Sequence, residues 1–301
     1  MDFVNEIKNS FKLKNNFNIL IYINLIVFIA ILITNAVLFL LGIKSFEIIE
    51  FLAVPADTLT LSYKPWTIIT YMFTHENFIH ILINLLVFYW FGKLFLQYLS
   101  QRQLFCIYLM GGIAGAAFYV LAFNTIPAFA FVKYFSVALG ASASVMAIVI
   151  AVATLVPNQD VYMFFIGRVK LKYLAIGIVI IDLISIPVDN AGGHIAHLGG
   201  AFLGFIFVYY YKKGTDITIW LSRFLYGIKD FFSTDKEIKV KYRNPNKKSN
   251  APETDMEYNA RKKAEQDEID AILDKIAKSG YGSLSATEKE RLFKASNKNK
   301  G

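Results

Sequence analysis

The sequence predicts an all-α membrane protein in which six helices cross the bilayer and a helical tail follows in the cytoplasm. Three observations predict this class. The 301 residues are 55% hydrophobic and only 18% charged, which is too apolar for a soluble domain of this length. The apolar residues are concentrated in runs of membrane-spanning length. The charged residues are concentrated from Lys212 onwards, where 20 Lys and Arg accompany 14 Asp and Glu.

Six apolar segments are long enough to cross about 30 Å of hydrocarbon. They cover residues 17–42, 78–97, 103–124, 138–156, 172–187 and 194–211. Basic residues predict their orientation, because Lys and Arg concentrate in cytoplasmic loops. One side carries Lys8, Lys12, Lys14, Lys93, Arg102, Arg168, Lys170 and Lys172, and the other carries only Lys44, Lys64 and Lys133. We therefore expect a multi-pass protein of a bacterial plasma membrane with both termini cytoplasmic.

Three regions are predicted along the chain. Residues 1–214 form the six-helix membrane domain, and residues 215–255 form a juxtamembrane amphipathic helix followed by a basic linker. Residues 256–301 form a small cytoplasmic helical hairpin, whose last helix begins with a capping box of Ser285 and Glu288. Most of the net charge of +8 lies in the polar segment from Lys212 to Gly301. Binding to lipid headgroups explains this charge better than binding to nucleic acid does, so no nucleic-acid partner is expected.

Polar side chains inside the membrane are functional candidates because burying them in hydrocarbon is costly. All four histidines lie near the outer ends of the predicted spans, at positions 75, 80, 194 and 197. Counting helical rise from the inner ends puts Ser142, His197 and Asn84 about 20–22 Å up. The same count puts Asp182 only about 15 Å up. The count therefore predicts no acid at the level of Ser142 and His197.

These residue types suit acyl transfer. A serine hydroxyl becomes a nucleophile when a histidine takes its proton, and the developing oxyanion needs hydrogen-bond donors. His80 and Asn84 share one helix face and can supply donors, together with the Ser142 backbone N–H. A zinc site is not expected, because His75 and His80 are five residues apart where a helical zinc pair needs four. No cofactor or metal is predicted.

Three segments carry a resemblance to a known family: "HENFIHILIN" (75–84), "GASA" (140–143) and "AHLGGAFLG" (196–204). In this order, on a six-span core, they resemble the rhomboid intramembrane serine proteases. The resemblance implies a rhomboid-like six-helix bundle that uses a Ser–His dyad without an acid, acting on transmembrane protein substrates within the lipid bilayer. It implies Ser142 as nucleophile and His197 as general base, with His80 and Asn84 as oxyanion donors. Gly200 and Gly204 would pack span six closely on span four.

The chain departs from the family pattern at three places. Ala143 follows the nucleophile where the family commonly has glycine. Met146 stands where an aromatic ring often stacks on the base, although a thioether can also pack against an imidazole. Trp66-Thr67 replaces a Trp-Arg pair of the first outer loop, which bears on loop stability.

Other interpretations are kept beside this one. Ser144 lies about 200° from Ser142 around a helix, so only one of them can face His197, and Ser144 is expected to bond its own backbone. His194 is expected at headgroup level near the cavity mouth, and Asp182 to be capped by Ser185 or water. The alternative function is a catalytically silent rhomboid-like protein that binds and escorts client helices. A small-solute transporter is disfavoured, because the two halves show no inverted repeat.

Overall fold

The computed structural model describes residues 15–43, 48–163, 167–232 and 255–298. The chain divides into two compact units, Met1–Thr234 and Asp235–Gly301. The described helices are α1 (Asn16–Leu40), α2 (Ile48–Leu52), α3 (Thr58–Tyr63), α4 (Thr67–Thr70), α5 (Phe78–Phe95), α6 (Gln101–Thr125), α7 (Ser142–Leu155), α8 (Leu171–Ser185), α9 (Ala191–Lys212), α10 (Ile219–Phe232), α11 (Asp255–Ser279) and α12 (Ala286–Lys298). The strands are β1 (Val54–Pro55), β2 (Val137–Ala138), β3 (Asp160–Met163) and β4 (Gly167–Lys170).

Each of the six predicted apolar segments forms a helix: α1, α5, α6, α7, α8 and α9. Within the described residues, α1, α5, α6 and α9 are long and apolar enough to cross a membrane. Helix α7 has 14 residues and α8 has 15. They are about 21 and 22 Å long, which is less than the hydrocarbon thickness. Four of the six helices therefore reach spanning length by themselves.

Helix α7 lies at the centre of the first unit. Every residue from Ala143 to Ala153 is buried. Nine of its 14 residues are Ala, Val or Ile, and alanine recurs every four residues at 143, 147 and 151, so neighbouring backbones can approach closely. Helices α6 and α9 pack most extensively against it.

Glycines bring the neighbouring helices into backbone contact with α7. A Cβ atom added at Gly200 would lie 2.0 Å from the carbonyl oxygen of Ala143, and one at Gly204 would lie 2.2 Å from that of Ala147. On α6, a Cβ at Gly111 would lie 2.5 Å from the Cβ of Ala147. No side chain fits at such distances, so α9 and α6 lie directly on α7.

The segment between α1 and α5 is tied to the segment that precedes α7. Strands β1 and β2 pair antiparallel, with Val54 opposite Ala138. Trp66 Nε1–H donates to the Phe51 carbonyl at 2.9 Å, and the buried Thr67 Oγ1 donates to the Lys64 carbonyl at 2.6 Å. Thr67 therefore makes a local hydrogen bond within this loop.

The all-α prediction is wrong at two short sheets. Besides β1–β2, strands β3 and β4 form an antiparallel hairpin between α7 and α8, with Asp160 opposite Lys170. Each strand is only four residues long and carries charged residues, so its pattern is too short to stand out beside the apolar runs. Gly167 has φ +83°, a conformation that favours glycine, at the start of β4.

Helix α10 lies within residues 215–255, where an amphipathic helix is predicted. Trp220 and Phe224, four residues apart, are both exposed, as expected for a helix lying on a membrane surface. Asp216, just before α10, accepts hydrogen bonds from Arg102 and Thr218. Burial alone would raise the pKa of Asp216, but these bonds outweigh burial and lower it. The start of α10 is thereby held to the start of α6.

The second unit contains α11 and α12, and its predicted capping box is confirmed. The Ser285 N–H donates to Glu288 Oε2 at 2.6 Å, and the Glu288 N–H donates to Ser285 Oγ at 3.3 Å. Lys275, at 2.9 Å, and the bonds from Ser285 lower the pKa of Glu288 to about 2. Among the described residues of this unit, the apolar side chains of Ile272 and Leu284 are buried.

Candidate active site

A cavity of about 390 Å³ lies among α5, α7, α8 and the start of α9. One part of its wall is polar and the remainder is apolar. It is lined by His80, Ile83, Asn84, Val87, Leu139, Ser142, Val145, Met146, Val149, Ile178, Asn190, Gly193 and His197. The structure thus brings Ser142, His197, His80 and Asn84 to one cavity, whereas Gly200 and Gly204 lie at the α7–α9 contact.

Ser142 is the first residue of α7, and a tight turn precedes it. Gly140 has φ +116°, and its N–H donates to the Tyr71 carbonyl at 2.9 Å. Ala141 is the N-cap and has no side chain that could bond the first turn. The first N–H groups of a helix lack intrahelical acceptors, so those at the start of α7 are available as donors beside the Ser142 hydroxyl.

His75 and His80 lie beside this turn. The Ala141 N–H donates to His75 Nε2 at 3.4 Å, and the two rings meet edge to face with centroids 5.1 Å apart. A Cβ added at Gly140 would lie 2.7 Å from His80 Nε2. Burial, and then the neighbouring His80 ring, lower the pKa of His75 to about 4. His75 is therefore neutral and supports the turn.

Asn84 lies one turn below His80 on α5. Its Nδ2 donates to the His80 carbonyl at 2.9 Å, and its side chain is mostly buried at the cavity wall. An amide nitrogen has two hydrogens, so one donor remains for a ligand.

His197 contacts Asp182, contrary to the predicted height of that residue. His197 Nδ1 lies 2.9 Å from Asp182 Oδ1, and His194 Nδ1 lies 2.7 Å from the same oxygen. The Asp182 side chain is 7% exposed. The hydrogen-bond partners of Asp182 Oδ1 are two histidines, where the sequence predicted Ser185 or water. His194 is accordingly a partner of Asp182 and not simply a headgroup-level residue.

The predicted height of Asp182 is too low because heights are counted from the inner ends of the helices, and these ends do not lie at one level. Helices α8 and α9 join through residues 186–190. Helix α9 is about 33 Å long and α8 about 22 Å, so their inner ends differ in height by about 10 Å. Counted from the shared loop, Asp182 and His194 are each three residues inside their helices. His197 is one turn further on.

The contact with Asp182 determines which nitrogen of His197 carries the proton. An ionised carboxylate only accepts hydrogen bonds, so Nδ1 of both rings must carry the proton. In a neutral imidazole the other nitrogen, Nε2, then has a free lone pair. Since His197 lines the cavity, that lone pair is available as a base there.

Asp182, His194 and His197 are also the one group among the described residues whose donor atoms could hold a metal ion. The nitrogen–oxygen distances of 2.7 and 2.9 Å are hydrogen-bond lengths. Two ligands of one tetrahedral zinc ion would be about 3.3 Å apart. The arrangement is therefore that of a hydrogen-bonded carboxylate with two imidazoles.

Ser144 faces away from this cavity. It is fully buried, and its Oγ donates to Met72 Sδ at 3.9 Å, close to Gly112 of α6. The expected bond to its own backbone is replaced by this contact with the sulfur. Met146, one turn after Ser142, lines the cavity and packs with Ile150 and Ala201.

One polar network was missed from the sequence. The buried Asn24 Nδ2 donates to the Tyr108 hydroxyl at 2.9 Å, and that hydroxyl donates to the Met72 carbonyl at 3.1 Å. The network connects α1 and α6 to the segment that leads to His75. The signal was available, because Asn24 is a polar residue within an apolar span.

Comparison with known proteins identifies the family. The sequence profile of the Rhomboid domain matches residues 62–214, half of the chain. The chain belongs to the rhomboid family. This rhomboid is 28% identical over 169 residues to the Presenilin-associated rhomboid-like protein A, mitochondrial, of Danio rerio, covering 50% of this chain and 38% of the relative. It is 31% identical over 157 residues to RHOMBOID-like protein 12, mitochondrial, of Arabidopsis thaliana, covering 49% and 47%.

Those matches span less than half the length of either curated relative. A second profile matches residues 253–298 of the rhomboid, from a family of unknown function (DUF6576). It coincides with the unit of α11 and α12, which is separate from the Rhomboid domain.

Proposed function

We propose that this rhomboid is an intramembrane serine endopeptidase that cleaves transmembrane helices near the outer membrane face. The observation that carries the proposal is the shared cavity, which has Ser142 and His197 in its wall. Ser142 is the nucleophile and His197 the general base and acid. His80, Asn84 and the Ser142 N–H are the donors for the oxyanion.

The proposed reaction follows from these roles. His197 Nε2 takes the proton of Ser142 Oγ as the oxygen attacks the scissile carbonyl carbon. The carbonyl oxygen gains negative charge, which the donors stabilise. The C–N bond then breaks, and the imidazolium gives its proton to the leaving amine. A water molecule gives a proton to His197 as its oxygen attacks the acyl carbon. The bond between that carbon and Ser142 Oγ then breaks, the imidazolium returns its proton to Oγ, and the carboxylic acid is released.

The substrate class follows from the location of the cavity. A substrate helix hides its carbonyl groups in its own hydrogen bonds, so it must unwind locally before Ser142 can attack. Transmembrane segments with Gly, Pro or other small residues near the scissile bond unwind most readily. We expect them to enter laterally near α5 and α8, whose residues form part of the cavity wall.

The six-span topology is part of the proposal. Helix α7 is short, but it is buried among spanning helices, and with α8 it would complete six crossings. Both termini would then be cytoplasmic, as the distribution of basic residues predicts. The names of the two relatives place those proteins in mitochondria, whereas we propose a bacterial plasma membrane here. Reporter fusions to the C-terminus of the full chain would read its side of the membrane.

The two serines at the start of α7, Ser142 and Ser144, provide the test. Ser142→Ala should reduce cleavage of a model transmembrane substrate to background, measured with purified protein in detergent and in proteoliposomes. Ser144→Ala is the matched control and should retain cleavage, because its hydroxyl contacts Met72 outside the cavity. Labelling by a fluorophosphonate should follow the same pattern. Full activity of Ser142→Ala would refute the assignment. Wild-type protein that neither cleaves nor labels would favour a silent escort of client helices.

A further inference from the structure

We infer that Asp182 is a positioning residue that orients His197 for catalysis, so that this rhomboid works with a Ser142–His197–Asp182 arrangement. The inference rests on the proposed function and deepens it. Asp182 does not touch the substrate and takes no proton. It acts through the imidazole of His197, whose Nδ1 is 2.9 Å from its Oδ1.

The burial of Asp182 gives the first argument. Its side chain is 7% exposed on α8, and a charged carboxylate at such a site is costly unless hydrogen bonds and opposite charge compensate. Both compensating donors are imidazoles, His194 and His197. Its second oxygen, Oδ2, is buried and has no hydrogen-bond partner among the described residues. The described hydrogen-bond partners of this carboxylate are two histidines, and one of them lies in the cavity wall. We therefore assign to Asp182 the role of orienting these rings.

The second argument is the tautomer. With Nδ1–H donated to Asp182, His197 keeps the lone pair of Nε2 for the Ser142 proton. Without an acceptor at Nδ1, either nitrogen of a neutral imidazole can carry the proton. As Ser142 transfers its proton, His197 becomes a cation, and the adjacent negative charge of Asp182 stabilises that state.

The third argument concerns the other residues near the His197 ring. The cavity residue one turn after Ser142 is Met146, a flexible thioether that constrains ring rotation weakly. The rings of His194 and His197 meet edge to face, with centroids 5.9 Å apart and planes at 86°. Because His194 bonds the same oxygen at 2.7 Å, it fixes Asp182 in place.

The kinetic test uses Asp182→Asn, which keeps the shape of the side chain and removes its charge. We expect kcat for a model transmembrane substrate to fall about 100-fold, with KM changed less than about threefold. Asp189→Asn is the matched control, because Asp189 is an exposed acid seven residues further on. It should keep wild-type kcat. A kcat of Asp182→Asn within about threefold of wild type would overturn the inference.

A spectroscopic test separates positioning from a merely structural effect. The chain has four histidines, so the ¹⁵N-histidine spectrum of the full protein in detergent is tractable. His197→Gln assigns the His197 signals by their loss. In the wild type we expect His197 protonated at Nδ1 and unprotonated at Nε2. In Asp182→Asn the amide can donate instead, and the proton should move at least partly to Nε2.

The outcomes are distinguishable. A wild-type His197 with its proton on Nε2 would overturn the inference even if Asp182→Asn failed to fold. A fall in kcat with an unchanged tautomer would also overturn it, because Asp182 would then not be the group that sets the orientation and tautomer of His197. Failure of the proposed function gives a different result, since Ser142→Ala would then cleave as well as the wild type.

Discussion

Two pairs of histidines flank the start of α7, and they differ in what holds them. His75 and His80 meet edge to face beside the Gly140 turn, with centroids 5.1 Å apart. His194 and His197 also meet edge to face, at 5.9 Å. In the first pair, His75 accepts a backbone N–H. In the second pair, both rings share the carboxylate of Asp182.

This difference distinguishes a histidine that supports the turn, His75, from the proposed catalytic base, His197. A histidine that accepts the Ala141 N–H through Nε2 has that lone pair occupied, so His75 cannot take a proton from Ser142. A histidine that donates Nδ1–H to a carboxylate keeps Nε2 free and gains an adjacent negative charge. Similar ring geometry therefore has opposite chemical consequences, and the four predictions below test this contrast.

The largest effect is expected for loss of the base. His197→Gln should lower kcat by about 1,000-fold or more, because the proposed mechanism assigns the Ser142 proton to His197. Initial rates with a fluorogenic transmembrane substrate measure this. His75→Gln, which replaces the ring of the supporting pair, should stay within about tenfold of wild type. Equal losses in the two variants would remove the distinction between the pairs.

The second largest effect is expected for loss of an oxyanion donor. His80→Ala should lower kcat about 100-fold with KM nearly unchanged, because an oxyanion donor acts mainly in the transition state. Its ring lies beside Gly140 and the Ser142 hydroxyl in the cavity. Steady-state kinetics in detergent separate kcat from KM. A rise in KM alone would instead assign His80 to substrate binding.

A smaller effect is expected from the turn itself. Gly140→Ala introduces a Cβ 2.7 Å from His80 Nε2 at a residue with φ +116°. We expect activity to fall about tenfold and the free energy of unfolding to fall by about 1–2 kcal/mol. Gly177→Ala is the control, because a Cβ there meets nothing within 4 Å and alanine favours helix. Thermal unfolding and initial rates measure both, and a stable, active Gly140→Ala would contradict the close contact.

The smallest effect is a pH dependence of stability from His75. Its pKa is lowered to about 4 in the folded protein, against an ordinary value of about 6.5. Between these values the unfolded chain binds more protons, so stability falls as the pH decreases. From pH 7 to pH 5 the loss should be about 1–2 kcal/mol. Denaturation in detergent of wild type and His75→Gln gives the difference, which should vanish if His75 is not buried and neutral.

The sequence predicted the helical framework well. Long apolar runs predict helices with little dependence on context, and all six segments are helical. The capping box at Ser285 depends on residues three apart, so it too was predictable. The β3–β4 hairpin was missed, because four-residue strands with charged residues give a weak pattern.

Contacts between helices were predicted unevenly. The small residues of α7 and α9 indicated close packing in the Gly200 and Gly204 region. The contact between Asp182 and His197 was missed, because heights counted from the inner ends of α8 and α9 are comparable only if those ends lie at the same level. Ser144 was correctly separated from Ser142 by helical angle, but its partner Met72 lies on another segment and could not be read from local spacing.

The amino-acid order alone determined the apolar helices, because hydrocarbon length and backbone hydrogen bonding constrain each segment separately. It also supplied the serine, the histidines and the glycines that mark the family. Only the tertiary structure decided which histidine is paired with a carboxylate. That choice depends on the relative heights of α8 and α9, which the short loop between them determines. Hydrogen bonds act over about 3 Å, so an error of one helical turn in height is enough to hide such a contact.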